Sequence, residues 1–195
     1  MLETHFPLVG VQRQTVEAIL RHEVGHHVIA RRLGQEATNI TLTVLDVGGN
    51  YDGGAWQPMQ GFRSLAELET FLKKRVQVLL AGALSESLKG GKIDEDAATG
   101  ILSAGGIVDS SKANEFVAML RGIRYCDAAS STKADEYQHS LWLELWRKTQ
   151  ELVEADHNLI VELAAEIAKT VVLGGKEYVF LREELDALPM VQRAF

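Results

Sequence analysis

The chain has little of what holds small extracellular or membrane proteins together. It has a single cysteine in 195 residues, which excludes an internal disulfide and is compatible with a reducing cytosol. No stretch approaches the roughly 18 consecutive apolar residues of a membrane span, and the N-terminus has no apolar signal-peptide region. We therefore expect a soluble, cytoplasmic protein without a membrane span.

The chain also has fewer basic than acidic residues. The chain carries 20 Lys and Arg against 27 Asp and Glu, which gives a formal net charge of −7. Because phosphate binding requires a basic face, this balance argues against nucleic acid as a partner. The 46% of hydrophobic and 24% of charged residues are ordinary for a globular protein. At this length we predict a single domain over residues 1–195.

A helix with a zinc-hydrolase motif is predicted from Gln14 to Leu33. Apolar residues recur there at helical spacing and no proline interrupts them. The helix contains the motif H-E-x-x-H at His22, Glu23 and His26. Residues four apart share a helix face, so the two histidines can bind one metal ion. Glu23 lies about 100° round the helix, where it can act as a general base on a metal-activated water. The motif therefore predicts Zn²⁺ as the cofactor.

One small β element is predicted directly after this helix. Residues 38–45 alternate apolar and β-branched polar side chains, which indicates a half-buried strand. Residues 47–54 are rich in glycine and predict a turn, with a second strand at residues 55–59. A glycine cluster can also cradle a phosphate, but no G-K-[ST] follows here. A hairpin is the favoured interpretation.

The rest of the sequence indicates helices. Ser64 and Glu67 form a capping box before a long helix, which we expect to end at Gly90 and Gly91. Further helical patterns occupy residues 94–103, 109–125, 133–156, 157–172 and 182–188. Trp142 is followed by Trp146 at helical spacing, which is typical of a core or helix-pair contact. The predicted fold class is mainly α (α+β), with a small β element beside the H-E-x-x-H helix.

Two histidines leave a catalytic zinc site incomplete, because such sites use three protein ligands and a water. A metzincin-like third ligand would need glycine and histidine where the chain has Ile29 and Arg32. Cys126 lies at a predicted helix end without the loop motif of peptide deformylases. Spacing leaves His139 open as a weaker candidate and does not choose among the later carboxylates. These are Glu86, Asp94, Glu95, Asp96 and Asp109.

Several stretches resemble, in order, the peptidase domain of the FtsH-type, membrane-anchored AAA+ zinc metalloproteases. The H-E-V-G-H motif is like the family's H-E-A-G-H, and the strand T-N-I-T-L-T-V follows it. The segment L-L-A-G-A-L-S-E, ending at Glu86, resembles the family's L-x-G-G-R-x-A-E. The segment G-G-I-V-D, ending at Asp109, is similar to its T-G-A-S-N-D, and residues 151–168 are like its C-terminal helices. The similarity covers most of residues 12–188.

The resemblance implies roles for particular residues. By position, the zinc ligands would be His22, His26 and Asp109, and Glu23 would be the catalytic carboxylate. Glu86 matches a family glutamate near the site, which would support a ligand imidazole. Four residues resemble the family's substrate-side edge strand, which would pair with an extended peptide. They are Gly54, Ala55, Trp56 and Gln57.

The same resemblance implies a domain organisation. It predicts a helical, zincin-like metallopeptidase domain with a zinc-site region at residues 12–130 and a helical region at residues 131–195. The family's ring-forming domains imply a homo-oligomer. This chain has no P-loop, ATPase domain or membrane helix. The expected substrate is therefore a short or unfolded polypeptide, or one that a separate ATPase or unfoldase delivers.

Three positions depart from the family pattern. His27 stands where the family has alanine, and it lies about 100° from the metal-facing side of His26. Ala83 replaces an arginine and Val108 an asparagine, which changes the local hydrogen bonding.

Three hypotheses about function follow. The first is a zinc-dependent metallopeptidase in which Glu23 is the general base. The second is a catalytically inactive, metal-binding or oligomerising protein derived from such a peptidase. The third is a zinc hydrolase that cleaves a non-peptide amide. The intact Glu23 favours an enzyme, because a purely structural metal site needs no base.

Overall fold

Helices make up most of the computed structural model, which describes residues 5–45, 51–55, 61–126 and 132–195. The helices are α1 Val11–Arg32, α2 Leu65–Glu86, α3 Glu95–Leu102, α4 Ile107–Arg124, α5 Thr132–Ala155, α6 His157–Ala168, α7 Arg182–Asp186 and α8 Pro189–Ala194. The strands are β1 Phe6–Pro7, β2 Ile40–Val44, β3 Tyr51–Ala55, β4 Leu88–Lys89, β5 Lys92–Ile93, β6 Leu173–Gly174 and β7 Glu177–Phe180. The predicted fold class, mainly α (α+β), is confirmed. In the described ranges, no helix combines the length and apolar character of a membrane span.

Helix α1 lies at the centre of the fold. Every residue from His22 to Ala30 is buried, so this half of the helix has no solvent face. Helix α2 packs along one side of α1, α6 packs along another, and strands β2 and β3 also contact it. A helix that is buried all round belongs to the core. The polar residues of the zinc motif are therefore held inside the protein.

Two glycines allow α1 and α2 to approach each other closely. A Cβ atom added at Gly25 would lie 2.3 Å from Ser85 Oγ and 2.8 Å from the carbonyl oxygen of Ala81. One added at Gly82 would lie 2.4 Å from Nε2 of His22 and 2.5 Å from Nε2 of His26. Real side chains do not tolerate such distances, so only glycine fits at these two positions without moving the helices.

A three-stranded antiparallel sheet packs against α1 in the order β3-β2-β7. The predicted strand at residues 38–45 is confirmed as β2, but the predicted start of its neighbour at Ala55 is four residues too late. Strand β3 begins at Tyr51, inside the glycine-rich segment that was predicted to be a turn, and residues 56–59 lie outside the described part of the chain. Strand β7 is not predicted from the sequence. Pairing with β2 explains both differences, because it stabilises short segments of weak local preference.

The glycine pair after α2 has a different role from the one predicted. The helix ends at Glu86, where Ser87 caps it. Gly90 and Gly91 have φ angles of +57° and +80° and join β4 to β5. Positive φ at both central residues suits a tight hairpin, which explains why glycine occupies them. The predicted start of the helix is confirmed, since Ser64 Oγ accepts a hydrogen bond from the Glu67 amide.

The helices after the zinc motif surround α2. Helices α4 and α5 pack against α2 and against each other, and α6 packs between α5 and α1. Trp142 and Trp146 are half-buried and pack against the core, in agreement with their interpretation as a core contact. Two C-terminal predictions need correction. The predicted helix at residues 157–172 ends at Ala168, and helix α8 is an addition.

We expect Gly25→Ala to destabilise the protein, because the added methyl group meets the Ser85 side chain and a backbone carbonyl of α2. Overpacking of this kind costs about 1–3 kcal/mol in the free energy of unfolding. The measurement is denaturant unfolding of the metal-free protein in a chelator, so that altered metal binding does not contribute. The control is Gly122→Ala in α4, where a Cβ atom meets nothing within 4 Å. It should stabilise by roughly 0.5–1 kcal/mol, and equal effects of the two variants would refute the close contact.

Candidate metal centre

Three potential metal ligands meet between α1 and α4. His22 and His26 lie one turn apart on α1, and Asp109 lies in the first turn of α4. Asp109 Oδ2 is 3.1 Å from Nε2 of His22 and 3.2 Å from Nε2 of His26. The three ligand atoms all lie within 4.8 Å of one another. The structure thus brings together the two motif histidines and the carboxylate that the family resemblance selects.

The other nitrogen of each imidazole is held by a hydrogen-bond acceptor. His26 Nδ1 lies 2.7 Å from the carbonyl oxygen of Val78. A carbonyl oxygen only accepts, so Nδ1 carries the proton and Nε2 is left as the ligand atom. His22 Nδ1 lies 3.0 Å from Glu86 Oε2 and donates to this carboxylate. Both imidazoles therefore turn Nε2 towards Asp109, in the arrangement that outer partners impose on metal-binding histidines.

The spacing of these atoms fits a zinc ion. Zinc binds nitrogen and oxygen at about 2.0–2.2 Å, so two ligands of a tetrahedral site lie about 3.3 Å apart. The distances from Asp109 Oδ2 to the two Nε2 atoms, 3.1 and 3.2 Å, are close to this value. Gly82 leaves room beside the same two nitrogens, where a Cβ atom would approach both within 2.5 Å. Two imidazoles and one carboxylate are also a donor set that zinc accepts.

Glu23 is buried beside the candidate ligands, and none of the ion pairs between described residues includes it. Its side chain is 6% exposed, and its Oε2 atom has no hydrogen-bond partner among the residues that the structure describes. A buried carboxylate oxygen without a donor is energetically unfavourable unless something else uses it. The Glu23 carboxylate is therefore available to a molecule bound at the centre.

Proximity of opposite charges shifts the pKa values of the site. Burial lowers the pKa of His22, but hydrogen bonds with Asp109 and Glu86 outweigh this effect and raise it to about 10. Burial favours the neutral form of Asp109, but His26 and His22 outweigh it and hold the pKa of Asp109 far below its usual range. Burial raises the pKa of Glu23, and the neighbouring histidines only partly offset this. Three carboxylates thus lie close to two imidazoles, and the Arg75 guanidinium is within electrostatic range of Asp109.

The remaining candidate ligands lie elsewhere. Asp94 caps α3 by accepting a hydrogen bond from the Ala97 amide, and it pairs with Lys89. Glu95 and Asp96 are exposed in the first turn of α3, and His139 is exposed on α5. None of these four belongs to the His22, His26 and Asp109 group, the one set of three or more such ligands in the described part of the chain.

His27 is buried on another side of α1. Its side chain is 1% exposed, and Nδ1 lies 3.3 Å from the carbonyl oxygen of Thr38. Nε2 lies 3.7 Å from a carboxylate oxygen of Asp186 in α7. Burial lowers its pKa, so the ring is neutral. It links α1 to the segment before β2 and to α7, away from the metal ligands.

The expected substrate strand coincides in part with β3. Gly54 and Ala55 are its last two residues, while Trp56 and Gln57 lie outside the described residues. Strand β3 pairs with β2 on one edge, and within the described ranges no strand pairs with its other edge. A cavity of about 500 Å³ lies beside Gly54, lined in part by Thr41 and Arg182. The lining thus runs from β3 across β2 towards α7, on the side of β3 that is already paired.

Sequence reasoning missed three parts of this centre. The Val78 carbonyl group leaves no signal in the sequence, because any residue could supply it. Gly82 belongs to a segment that resembles the family, but the sequence does not indicate its contact with both imidazoles. Tyr51 lies near Gly105. A Cβ atom added at Gly105 would lie 2.9 Å from the Tyr51 hydroxyl oxygen. No pattern of residue types indicates this proximity.

A comparison with protein-family models finds no match, and a comparison with curated proteins finds no significant match. The resemblance to FtsH-type peptidases therefore stands on the motifs quoted above and on their order along the chain.

We expect Glu86→Ala to weaken zinc binding, because the variant loses the acceptor that orients the His22 ring. Loss of such a partner lowers metal affinity by roughly 10- to 100-fold. The measurement is competition for zinc with a chelator of known affinity. Glu115→Ala, at an exposed glutamate of α4, is the matched control and should leave the affinity unchanged.

Asp109→Ala tests whether Asp109 is the ligand and Glu86 the residue that orients the His22 ring. It removes one of three ligand atoms, so it should lower the zinc affinity more than Glu86→Ala does. The reverse order of the two variants would make Glu86 the ligand and would contradict the assignment of Asp109.

Proposed function

We propose that this protein is a zinc-dependent metallopeptidase that hydrolyses short or unfolded polypeptides. One observation carries the proposal: His22 Nε2, His26 Nε2 and Asp109 Oδ2 converge beside the buried carboxylate of Glu23. The resemblance of the surrounding motifs to FtsH-type peptidases supports it. The site supports the wider class of hydrolases, and the strand beside it supports the choice of a peptide substrate.

His22, His26 and Asp109 would hold the zinc ion. When bound, zinc supplies Lewis-acid chemistry, which polarises a carbonyl group and makes water a better nucleophile at neutral pH. Glu86 and the Val78 carbonyl keep the ligand imidazoles in the tautomer that presents Nε2. These two contacts preorganise the site, so that few side chains need to move when the reaction begins.

Glu23 would carry the proton of the reaction. A water molecule attacks the scissile carbonyl carbon, and the Glu23 carboxylate takes the proton that this water loses. The C–N bond then breaks, and Glu23 passes the same proton to the leaving nitrogen. The products are a carboxylic acid and an amine, and Glu23 returns to its ionised form. Burial, which raises its pKa, makes Glu23 a stronger base than an exposed glutamate.

The substrate would bind as an extended chain. In the described ranges β3 has one edge without a strand partner, and its backbone groups would pair there with a peptide as an added strand. The histidine ligands are only 7–8% exposed, so a folded protein surface cannot reach them, whereas a single extended segment can.

Two partners belong to the proposal through the family resemblance. Folded proteins would need a separate ATPase or unfoldase, because only an unfolded segment fits the site. The second partner would be another copy of this chain, in a homo-oligomer like the ring-forming domains of the resembling family.

Glu23→Gln should retain zinc and lose peptide cleavage. The amide has nearly the shape of the carboxylate but cannot accept the proton, so we expect the rate to fall by at least about 10²- to 10⁴-fold. Cleavage is followed by mass spectrometry of an unfolded-protein digest, together with the zinc content of each variant. The control is Glu17→Gln, the same chemical change at an exposed position of α1.

The outcomes separate the hypotheses. Full activity of Glu23→Gln would refute the proposed base. A zinc-loaded wild-type protein that cleaves no member of a broad mixture of unfolded peptides would instead favour the inactive metal-binding protein.

A further inference from the structure

Tyr51 is the first residue of β3 and faces the core side of the sheet. It lies directly opposite Val44 in the antiparallel pair of β2 and β3, and directly opposite residues point to the same face. Val44 is 2% exposed, so this face is the buried one. The next position of β3 on this face is Gly53, which has no side chain. The phenol ring is thus directed to the side of the sheet that packs on α1.

The hydroxyl group of Tyr51 reaches the turn that leads into α4. A Cβ atom at Gly105 would lie 2.9 Å from this hydroxyl oxygen, and one at Gly106 would lie 3.6 Å from Cε1 of His22. Gly106 is the N-cap of α4, and Asp109 follows in the first turn. The hydroxyl group and two of the metal ligands therefore border the same short turn. Either glycine allows a closer approach there than a larger residue would.

The surroundings keep this phenol protonated. Burial raises its pKa, and the negative charges of Glu86, Glu23 and Asp109 raise it further. These are the three carboxylates of the candidate metal centre, which places Tyr51 within their electrostatic field. Tyr51 is also 37% exposed, so a bound molecule can reach its hydroxyl group. A protonated, accessible phenol is a hydrogen-bond donor, and here it lies near carboxylates that only accept.

We propose that Tyr51 donates a hydrogen bond to the scissile carbonyl oxygen as this oxygen gains negative charge. The inference rests on the proposed peptidase function and supplies the oxyanion donor for which the sequence names no residue. Donors aimed at developing charge are among the largest contributions to acyl-transfer catalysis. Tyr51 also begins the strand with which the substrate would pair, so one element would bind the peptide backbone and stabilise its reacting carbonyl.

The test is Tyr51→Phe, which removes the hydroxyl group and keeps the ring. We expect kcat to fall by roughly 10²- to 10³-fold with KM nearly unchanged, since the hydrogen bond strengthens as the charge develops. The second readout needs no turnover. It is the Kd, by calorimetry on zinc-loaded protein, of a peptide phosphinate with apolar side chains, whose tetrahedral anion resembles the charged intermediate. This Kd should rise at least about tenfold.

Two controls separate this role from packing. A peptide that ends in a plain carboxylate at the same position, and so lacks the tetrahedral centre, should bind wild type and Tyr51→Phe with similar Kd. Tyr125→Phe, at a half-buried tyrosine at the end of α4, should change neither kcat nor the phosphinate Kd. Zinc content and thermal stability of Tyr51→Phe should match those of wild type. A loss of bound zinc in this variant would reduce Tyr51 to a structural residue and overturn the inference.

The inference and the proposed function can fail separately. If Tyr51→Phe binds the phosphinate and cleaves peptides like wild type, while Glu23→Gln is inactive, Tyr51 is not the donor and the peptidase function stands. If wild type cleaves nothing but its phosphinate binding still depends on the Tyr51 hydroxyl group, the donor role stands and the peptidase function falls. If wild type neither cleaves nor binds the phosphinate, both are wrong.

Discussion

The close contact between α1 and α2 is the constraint on which the rest of the structure depends. Gly25 on α1 meets the Ser85 side chain of α2, and Gly82 on α2 meets the two imidazoles of α1. Each helix therefore has a glycine at the point where a side chain of the other helix packs against it. Because residues 22–30 of α1 are buried, the imidazoles of His22 and His26 depend on partners from α2. Those partners are the Val78 carbonyl and Glu86, one turn before and one turn after Gly82. Close packing therefore brings the acceptors within hydrogen-bond distance of the rings.

The H-E-x-x-H motif alone does not make this centre. A helix places His22 and His26 on one face, but either ring could turn either nitrogen outwards. The acceptors on α2 decide this, and α4 then brings in Asp109 from 87 residues beyond His22. Three helices and a glycine turn are needed to bring two nitrogen atoms and one oxygen atom together. The surplus of negative charge that results would destabilise the centre without a cation. The fold thus tolerates the centre because a proton or a metal ion compensates the carboxylates.

The parts of this structure that sequence could predict are those with strong local patterns. Helix α1 follows from apolar spacing without proline, and the pairing of His22 and His26 on one face follows from their spacing within it. Asp109 was one carboxylate among five until the family resemblance selected it, since no local rule connects residues that far apart. Strand β3 was placed too late because Tyr-Asp-Gly-Gly-Ala has the composition of a turn, and only the pairing with β2 makes it a strand. Strand β7 was missed for a related reason, since four residues carry too little periodicity to be recognised.

The position of Tyr51 is set by tertiary contacts and not by a local sequence pattern. Its proximity to the metal centre results from the register of β2 with β3 and from the Gly105 turn, and neither leaves a trace at residue 51 itself. The sheet and the helices thereby contribute different things to one site. The helices supply buried groups whose geometry is held by packing, while the sheet supplies an edge of β3 that has no strand partner in the described ranges. The proposed hydrolysis of a peptide bond would need both, because the reacting groups must stay rigid while the substrate backbone enters and leaves. In that proposal Tyr51 would respond to the charge of the substrate while its backbone remains part of the sheet.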